Sequence, residues 1–197
     1  MDRQIVVDGT GHIAGKLAAC VAKKLLEGYK VAVVCCENIM FTGPLHRRVG
    51  KYNSYKDKRC VVNPNRGAFH YKEPSKYFFK ILRTMVRRKS TKGKECLTRV
   101  ETFESIPRCY FNVERVMFPK ALNEQTNNPE GKTCLMGELL EKFGFNNRKL
   151  ANDLTKSTIE SEEKINSVVR EKESAINEFK KTESFKKDLK TRLDALL

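Results

Sequence analysis

No apolar run in the sequence exceeds six residues, as at Val31–Cys36. A membrane-spanning helix needs roughly 20, so an integral membrane protein is not expected. Residues 1–9 lack the charged-then-apolar pattern of a secretion signal, so secretion is not expected either. The seven cysteines contain no CxxC pair, and their odd number fits neither a disulfide framework nor a zinc ribbon. They read as reduced, intracellular thiols. His12, His46 and His70 are too scattered to suggest a metal site. No paired carboxylates and no nucleophile–base arrangement stand out, so no catalytic group and no cofactor are expected. Acids are missing altogether between Glu73 and Glu95, and neither proline nor glycine occurs after Lys149.

What is abundant is positive charge. The 197 residues hold 39 lysines and arginines against 24 acids, a formal net charge of +15, and 40% hydrophobic residues suffice for a core. The excess is concentrated: Leu45 to Arg99 carries 17 basic groups against only Asp57, Glu73 and Glu95, whereas residues 123–197 balance 14 against 14. Uncompensated cations on a small protein repel one another. A polyanion relieves that repulsion, and counterion release makes a phosphate backbone the leading partner.

The opening reads as a βαβ unit. Ile5-Val6-Val7 is a buried-strand run, and Asp8-Gly9-Thr10-Gly11 is a turn. A helix over about Ala14–Glu27 repeats Leu17, Ala18, Val21, Ala22 and Leu25 on one face. Val31–Cys36 is a second buried strand, implying a parallel pair with a right-handed crossover. Arg47, Arg48, Lys51, Lys56, Lys58 and Arg59 then interleave with Tyr52 and Tyr55, on a helix beginning near Pro44. Asn63-Pro64-Asn65-Arg66-Gly67 is a loop. A helix opening at Pro74-Ser75 places Tyr77, Phe78, Ile81, Leu82 and Met85 on one face. Lys76, Lys80, Arg83 and Arg87 step by four, three and four along another. Like charges at such spacing destabilise a free helix by a few tenths of a kcal/mol per pair, so the row implies an anion beside it. Arg87 to Lys94 reads as a flexible basic loop continuing the row, and also fits a nuclear-import address.

Beyond Ile106-Pro107, Val116-Met117-Phe118 suggests a short strand and Asn123–Lys132 a polar loop. Leu135, Leu139, Leu140 and Phe143 suggest a short helix ending at Gly144. Residues 149–197 read as one long helix, with acid-before-base pairs at Glu160/Lys164, Glu183/Lys187 and Asp188/Arg192. Its apolar positions sustain no heptad, so it is expected to lean on a partner and not to form a homo-oligomer.

Gly9-x-Gly11-x-x-Ala14 matches the dinucleotide fingerprint between a strand and a helix. This is the sharpest enzymatic reading, an enzyme whose melting temperature would rise with NAD or NADP. Against it, Glu37 lies 28 residues after Gly9 rather than about 20. No regular βα repeats follow either. The other reading is a tight structural turn.

Several motifs together resemble one family. Asp8-Gly9-x-Gly11-His12-x-x-Gly15-Lys16-Leu17-Ala18 is followed by Asn63-Pro64-x-Arg66-Gly67-x-x-His70 and Pro74-Ser75. Then come Arg83-x-Met85, Lys89, Gly93 and Phe103-x-x-Ile106-Pro107. In this order, over about residues 3–145, they resemble the universal large-subunit ribosomal protein L-thirteen family in its eukaryotic and archaeal form. The resemblance implies a layered α/β domain around a small, mostly parallel sheet and no enzymatic activity. It implies large-subunit rRNA and neighbouring ribosomal proteins as partners, with Arg66, His70, Arg83, Lys89 and Lys92 contacting RNA. Thr84 stands where the family has glycine and Arg87 where it has proline; the latter should let the basic helix run further. Glu138 replaces a basic residue.

The expected protein is thus α/β, with a core over 1–145 and a charge-neutral helical extension over 146–197. It is a structural, rRNA-binding constituent of the cytoplasmic ribosome, with nucleolar passage if eukaryotic. The expected RNA-binding residues are Arg47, Arg48, Lys51, Lys56, Lys58, Arg59, Arg66, His70, Lys72, Lys76, Lys80, Arg83, Arg87, Arg88, Lys89, Lys92, Lys94 and Arg99. Tyr52, Tyr55, Phe69 and Tyr71 are candidates for stacking on bases or for packing in the core. A free RNA-binding regulator using the same surface is the remaining rival.

Overall fold

The computed structural model describes residues 3–128, 130–182, 185 and 192. By contact it divides into two compact units, Met1–Thr155 and Lys156–Leu197. The first begins with β1 (Gln4–Asp8), α1 (Ala14–Leu26) and β2 (Lys30–Val34), the expected βαβ unit. β3 (Met40–Thr42), α2 (Leu45–Asp57), α3 (Pro74–Met85), α4 (Thr91–Thr98) and β4 (Val100–Thr102) follow. Then come β5 (Arg115–Val116), α5 (Asn123–Thr126), β6 (Thr133–Leu135), α6 (Met136–Glu141) and α7 (Arg148–Lys181). A parallel four-stranded sheet runs β4-β2-β1-β5, and β3 pairs antiparallel with β6. The fold is α/β, layered on a parallel sheet, with a long C-terminal helix.

Strand side chains alternate between faces, and each face has its own core. Val7, Val31 and Val33 meet Leu17, Val21 and Leu25 of α1, Phe78 and Leu82 of α3, Cys96 of α4, and Met136, Leu139 and Leu140 of α6. Val6, Ala32 and Val34 meet Ile106 and Tyr110 on the opposite face. Burying each large apolar side chain contributes about 1.5–3 kcal/mol. All the helices that carry the basic segment therefore belong to one side of the sheet.

Five local expectations are corrected. β2 stops at Val34, because Cys35 takes a left-handed conformation (φ 54°) and turns the chain into a short 3₁₀ segment, Cys36–Asn38. Both cysteines are buried, as their apolar setting implied. The strand expected over Val116–Phe118 is Arg115–Val116, and the polar stretch after Leu122 opens with the single turn of α5.

The other two corrections concern the basic segment. α3 does not run past Met85, although arginine and not proline stands at position 87. Val86 leaves the helix in extended conformation (φ −103°, ψ 140°) and inserts its side chain into the core, while Met85 is exposed. Residues 91–94 are not a loop but the start of α4. Ser90 caps it, its Oγ accepting from the Gly93 amide at 3.2 Å. A Cβ at Gly93 would lie 2.1 Å from the Arg87 carbonyl oxygen, so only glycine lets the two turns close together.

α7 bears out the long helix as far as Lys181. The pairs Glu183/Lys187 and Asp188/Arg192 and the expected continuation to Leu197 lie outside the described residues. Among the described residues no helix is long and apolar enough to cross a membrane.

Candidate nucleic-acid interface

The fingerprint turn is filled by the chain itself. A Cβ on Gly9 would meet Ile39 Cγ1 and the Val34 carbonyl oxygen at 2.9 Å, so the close approach that glycine permits is to protein backbone. The Ile13 amide donates to the Ala121 carbonyl at 2.8 Å, and the Asn123 amide donates to the Gly11 carbonyl at 2.9 Å. Lys16 Nζ donates to the Thr126 carbonyl at 3.1 Å. Residues 118–126 thus occupy the mouth of α1 where a pyrophosphate would sit. Gly11 itself has φ 72°, which favours glycine.

His12 locks this turn. Its Nδ1 donates to the Thr10 carbonyl and its Nε2 accepts from the Phe118 amide, both at 3.0 Å, which fixes a neutral tautomer. Burial lowers its pKa, against the raising effect of the Thr10 carbonyl. The unfolded chain takes up a proton near pH 6.5 and the folded one only at lower pH, so His12 costs stability as pH falls below that value. Urea unfolding of the wild type and His12→Gln checks this. The stability advantage of the wild type should shrink from pH 6.5 toward pH 5, and an advantage independent of pH would contradict a neutral, locked imidazole.

The basic residues divide by environment. Arg47, Lys51 and Lys56 on α2, and Lys58, Arg59, Arg66 and Lys72 in the loop after it, are exposed. So are Lys76 and Arg83 on α3, Arg87, Arg88 and Lys89 after it, and Lys92 and Lys94 on α4. Four others are half-buried and bonded inward. Arg48 donates to the Thr42 carbonyl and lies 5.1 Å from the Phe41 ring centre. The His70 Nε2 lies 2.9 Å from the Tyr55 carbonyl oxygen. Lys80 places its ammonium 3.8 Å from the Tyr55 ring centre and donates to the Phe69 carbonyl at 3.1 Å. Arg99 donates to the Leu25 carbonyl at 3.1 Å.

The helical row expected from sequence is therefore broken. Lys76 pairs with Glu73 at 2.7 Å, Lys80 folds onto Tyr55, and Arg87 lies beyond the helix. What replaces the row is a concavity. Lys80, Arg83, Thr84, Val86 and Arg88 line a cleft of about 260 Å³ where α3 gives way to extended chain. No acid lines it. Burial lowers the Lys80 pKa, and the neighbouring Arg83 charge adds to the effect. A cation pressed against another cation beside an open hollow is chemically suited to an anion.

The aromatic candidates also separate. Tyr52 is buried, its hydroxyl donating to the Tyr71 carbonyl at 2.8 Å, and burial pushes its phenol up to about 12. The Tyr55 hydroxyl donates to the Phe69 carbonyl, and Tyr71 is half-buried. These three hold the loop to α2. Only Phe69 stands out, 69% exposed. Sequence reading missed Val61 and Val62, 94% and 95% exposed; a β-branched pair next to Cys60 gives no sign that it will face solvent.

The family model described as Ribosomal protein L13 matches residues 2–108. The chain is 40% identical over 153 residues to "Large ribosomal subunit protein uL13" of Drosophila melanogaster, covering 78% of this chain and 75% of that one. The protein of the same name in Spodoptera frugiperda is 41% identical over 167 residues, with 85% and 79% covered. That of Caenorhabditis elegans is 40% identical over 144 residues, with 73% and 71% covered.

Proposed function

The chain belongs to the ribosomal protein L13 family and is a structural constituent of the large ribosomal subunit, not an enzyme; from that premise we propose that it binds large-subunit rRNA through phosphate contacts from residues 47–94. The observation that carries this reading is the placement of the exposed cations. The helices that bear Arg47, Lys51, Lys56, Arg83, Lys92 and Lys94 pack on one face of the sheet, Arg83 and Arg88 line a cleft with no acid in its lining, and Lys76–Glu73 is the one ion pair among the described residues of the segment. Phosphate contacts position a protein without reading sequence, which suits one whose RNA partner never varies. Arg83 and Arg88 face the cleft and act as phosphate ligands, while Arg47, Lys51, Lys56, Lys58, Arg59, Arg66, Lys72, Arg87, Lys89, Lys92 and Lys94 extend the contact. Arg48, His70, Lys80 and Arg99 act by holding the loop and helices in place. Neighbouring ribosomal proteins meet the surfaces outside this segment.

Sedimentation tests the reading. The protein should remain with large subunits after a high-salt wash that strips loosely bound factors. Recovery of the folded protein in the soluble fraction, free of subunits, would instead favour a regulator acting off the ribosome.

A further inference from the structure

The loop between α2 and α3 offers more than charge. Its base is fixed twice: the Tyr52 hydroxyl holds the Tyr71 carbonyl, and the Tyr55 hydroxyl and Lys80 ammonium both hold the Phe69 carbonyl. The Tyr55 and His70 rings lie 4.5 Å apart, edge to face. Higher up, the two legs are pinched, since a Cβ on Gly67 would lie 2.7 Å from the Cys60 amide nitrogen. The tip turns on Asn63, whose side chain accepts from the Asn65 amide at 3.0 Å, and on the 3₁₀ turn Pro64–Arg66. A loop braced in this way is preformed. Yet it leaves Val61, Val62 and Phe69 facing water, exposed at 94%, 95% and 69%. Among the described residues, neither core cluster nor any ring pair includes these side chains.

Their frame identifies the occupant. Lys58, Arg59, Arg66 and Lys72 share the loop with them, all exposed, and the acids flanking the loop in sequence are Asp57 at one end and Glu73, paired with Lys76, at the other. A protein surface that accepted three apolar groups would also have to neutralise four cations. RNA supplies both needs, because phosphates meet the cations while unstacked bases offer flat apolar faces. In a regular A-form duplex the bases are stacked away and the readable groove shows hydroxyls and edges. Resting on the rRNA-binding reading above, we propose that the 58–72 loop is a reader of unpaired bases, with Phe69 stacking on one base and Val61-Val62 wedging beside another.

The chain has no tryptophan, so Phe69→Trp would carry the sole indole. The full-length variant would be titrated at low salt with a single-stranded oligoadenylate of about 12 nucleotides and with a fully paired RNA duplex. A dye on each RNA reports binding by polarisation, independently of the indole. Indole quenching by the single strand and not by the duplex is expected. Phe69→Ala should bind the single strand about tenfold more weakly, with duplex affinity and salt slope unchanged. Binding of both RNAs without quenching would overturn the base contact and leave the loop to a protein neighbour, with the phosphate reading intact. Equal quenching by the duplex would overturn the preference for unpaired bases. If neither RNA raises polarisation, the phosphate reading itself fails, and this proposal with it.

Discussion

Simultaneous replacement of Arg83, Arg87 and Arg88 by glutamate will abolish incorporation into large subunits and leave the melting temperature within a degree or two of the wild type. Two physical facts separate these outcomes. All three side chains are exposed, and none forms an ion pair among the described residues, so the fold loses nothing when they go. Surface changes of that kind usually stay within about 0.5 kcal/mol. Binding loses twice over, because each site gives up a phosphate partner and also presents a repelling carboxylate inside or beside the cleft. Salt dependence supplies the number. If the segment neutralises about eight phosphates, log affinity falls with log salt at a slope of about −6 to −7, and removing three contacts reduces that to about −4. Filter binding to purified large-subunit rRNA at several salt concentrations reads both slopes. A nearly flat wild-type response, or normal assembly of the triple variant, would remove electrostatics from the account of this protein.

The parts of this design that could be read from sequence are those written in periodicity and charge. The apolar runs Ile5–Val7 and Val31–Cys36, the one-faced repeat of α1 and the apolar stripe of α3 each stand in plain view. So does the concentration of cations over 45–99. What escaped depends on contacts between distant residues. The end of α3 is set by the pull of Val86 into the core, which outweighs the helix-permitting arginine at position 87. α4 hides behind a glycine that local propensity counts against a helix, and only the nearby Arg87 carbonyl explains it. β4 and β6 are three residues each, too short for an alternation to register. Lys80 looks like any surface lysine until Tyr55 and Phe69 are brought to it from the preceding helix and loop. The fingerprint turn misleads for a related reason. Gly9 is required by a close backbone approach and Gly11 by its φ of 72°, and sequence alone cannot tell whether the group approaching Gly9 is a phosphate or Val34.

Phe78→Ala tests the opposite half of the same helix. The ring is fully buried in the cluster that joins α3 to α1 and α6, and truncating such a side chain costs about 3–5 kcal/mol. Against a typical domain stability of about 5–15 kcal/mol, that is a large share, and the melting temperature should fall by roughly 10 °C. Calorimetry checks the fall. The informative measurement is the salt slope of whatever remains folded at low temperature. Exposed cations on the far side of α3 keep their geometry as long as the helix is docked, so the slope should equal that of the wild type. Affinity should drop only by the fraction unfolded. A large loss of stability with an unchanged slope, set beside the unchanged stability and reduced slope of the arginine variant, would establish that one helix face holds the fold and the other meets the RNA. If Phe78→Ala instead lowered the slope, the cations would depend on core packing for their position, and the rigid docking of α3 on α1 would be the true determinant of binding.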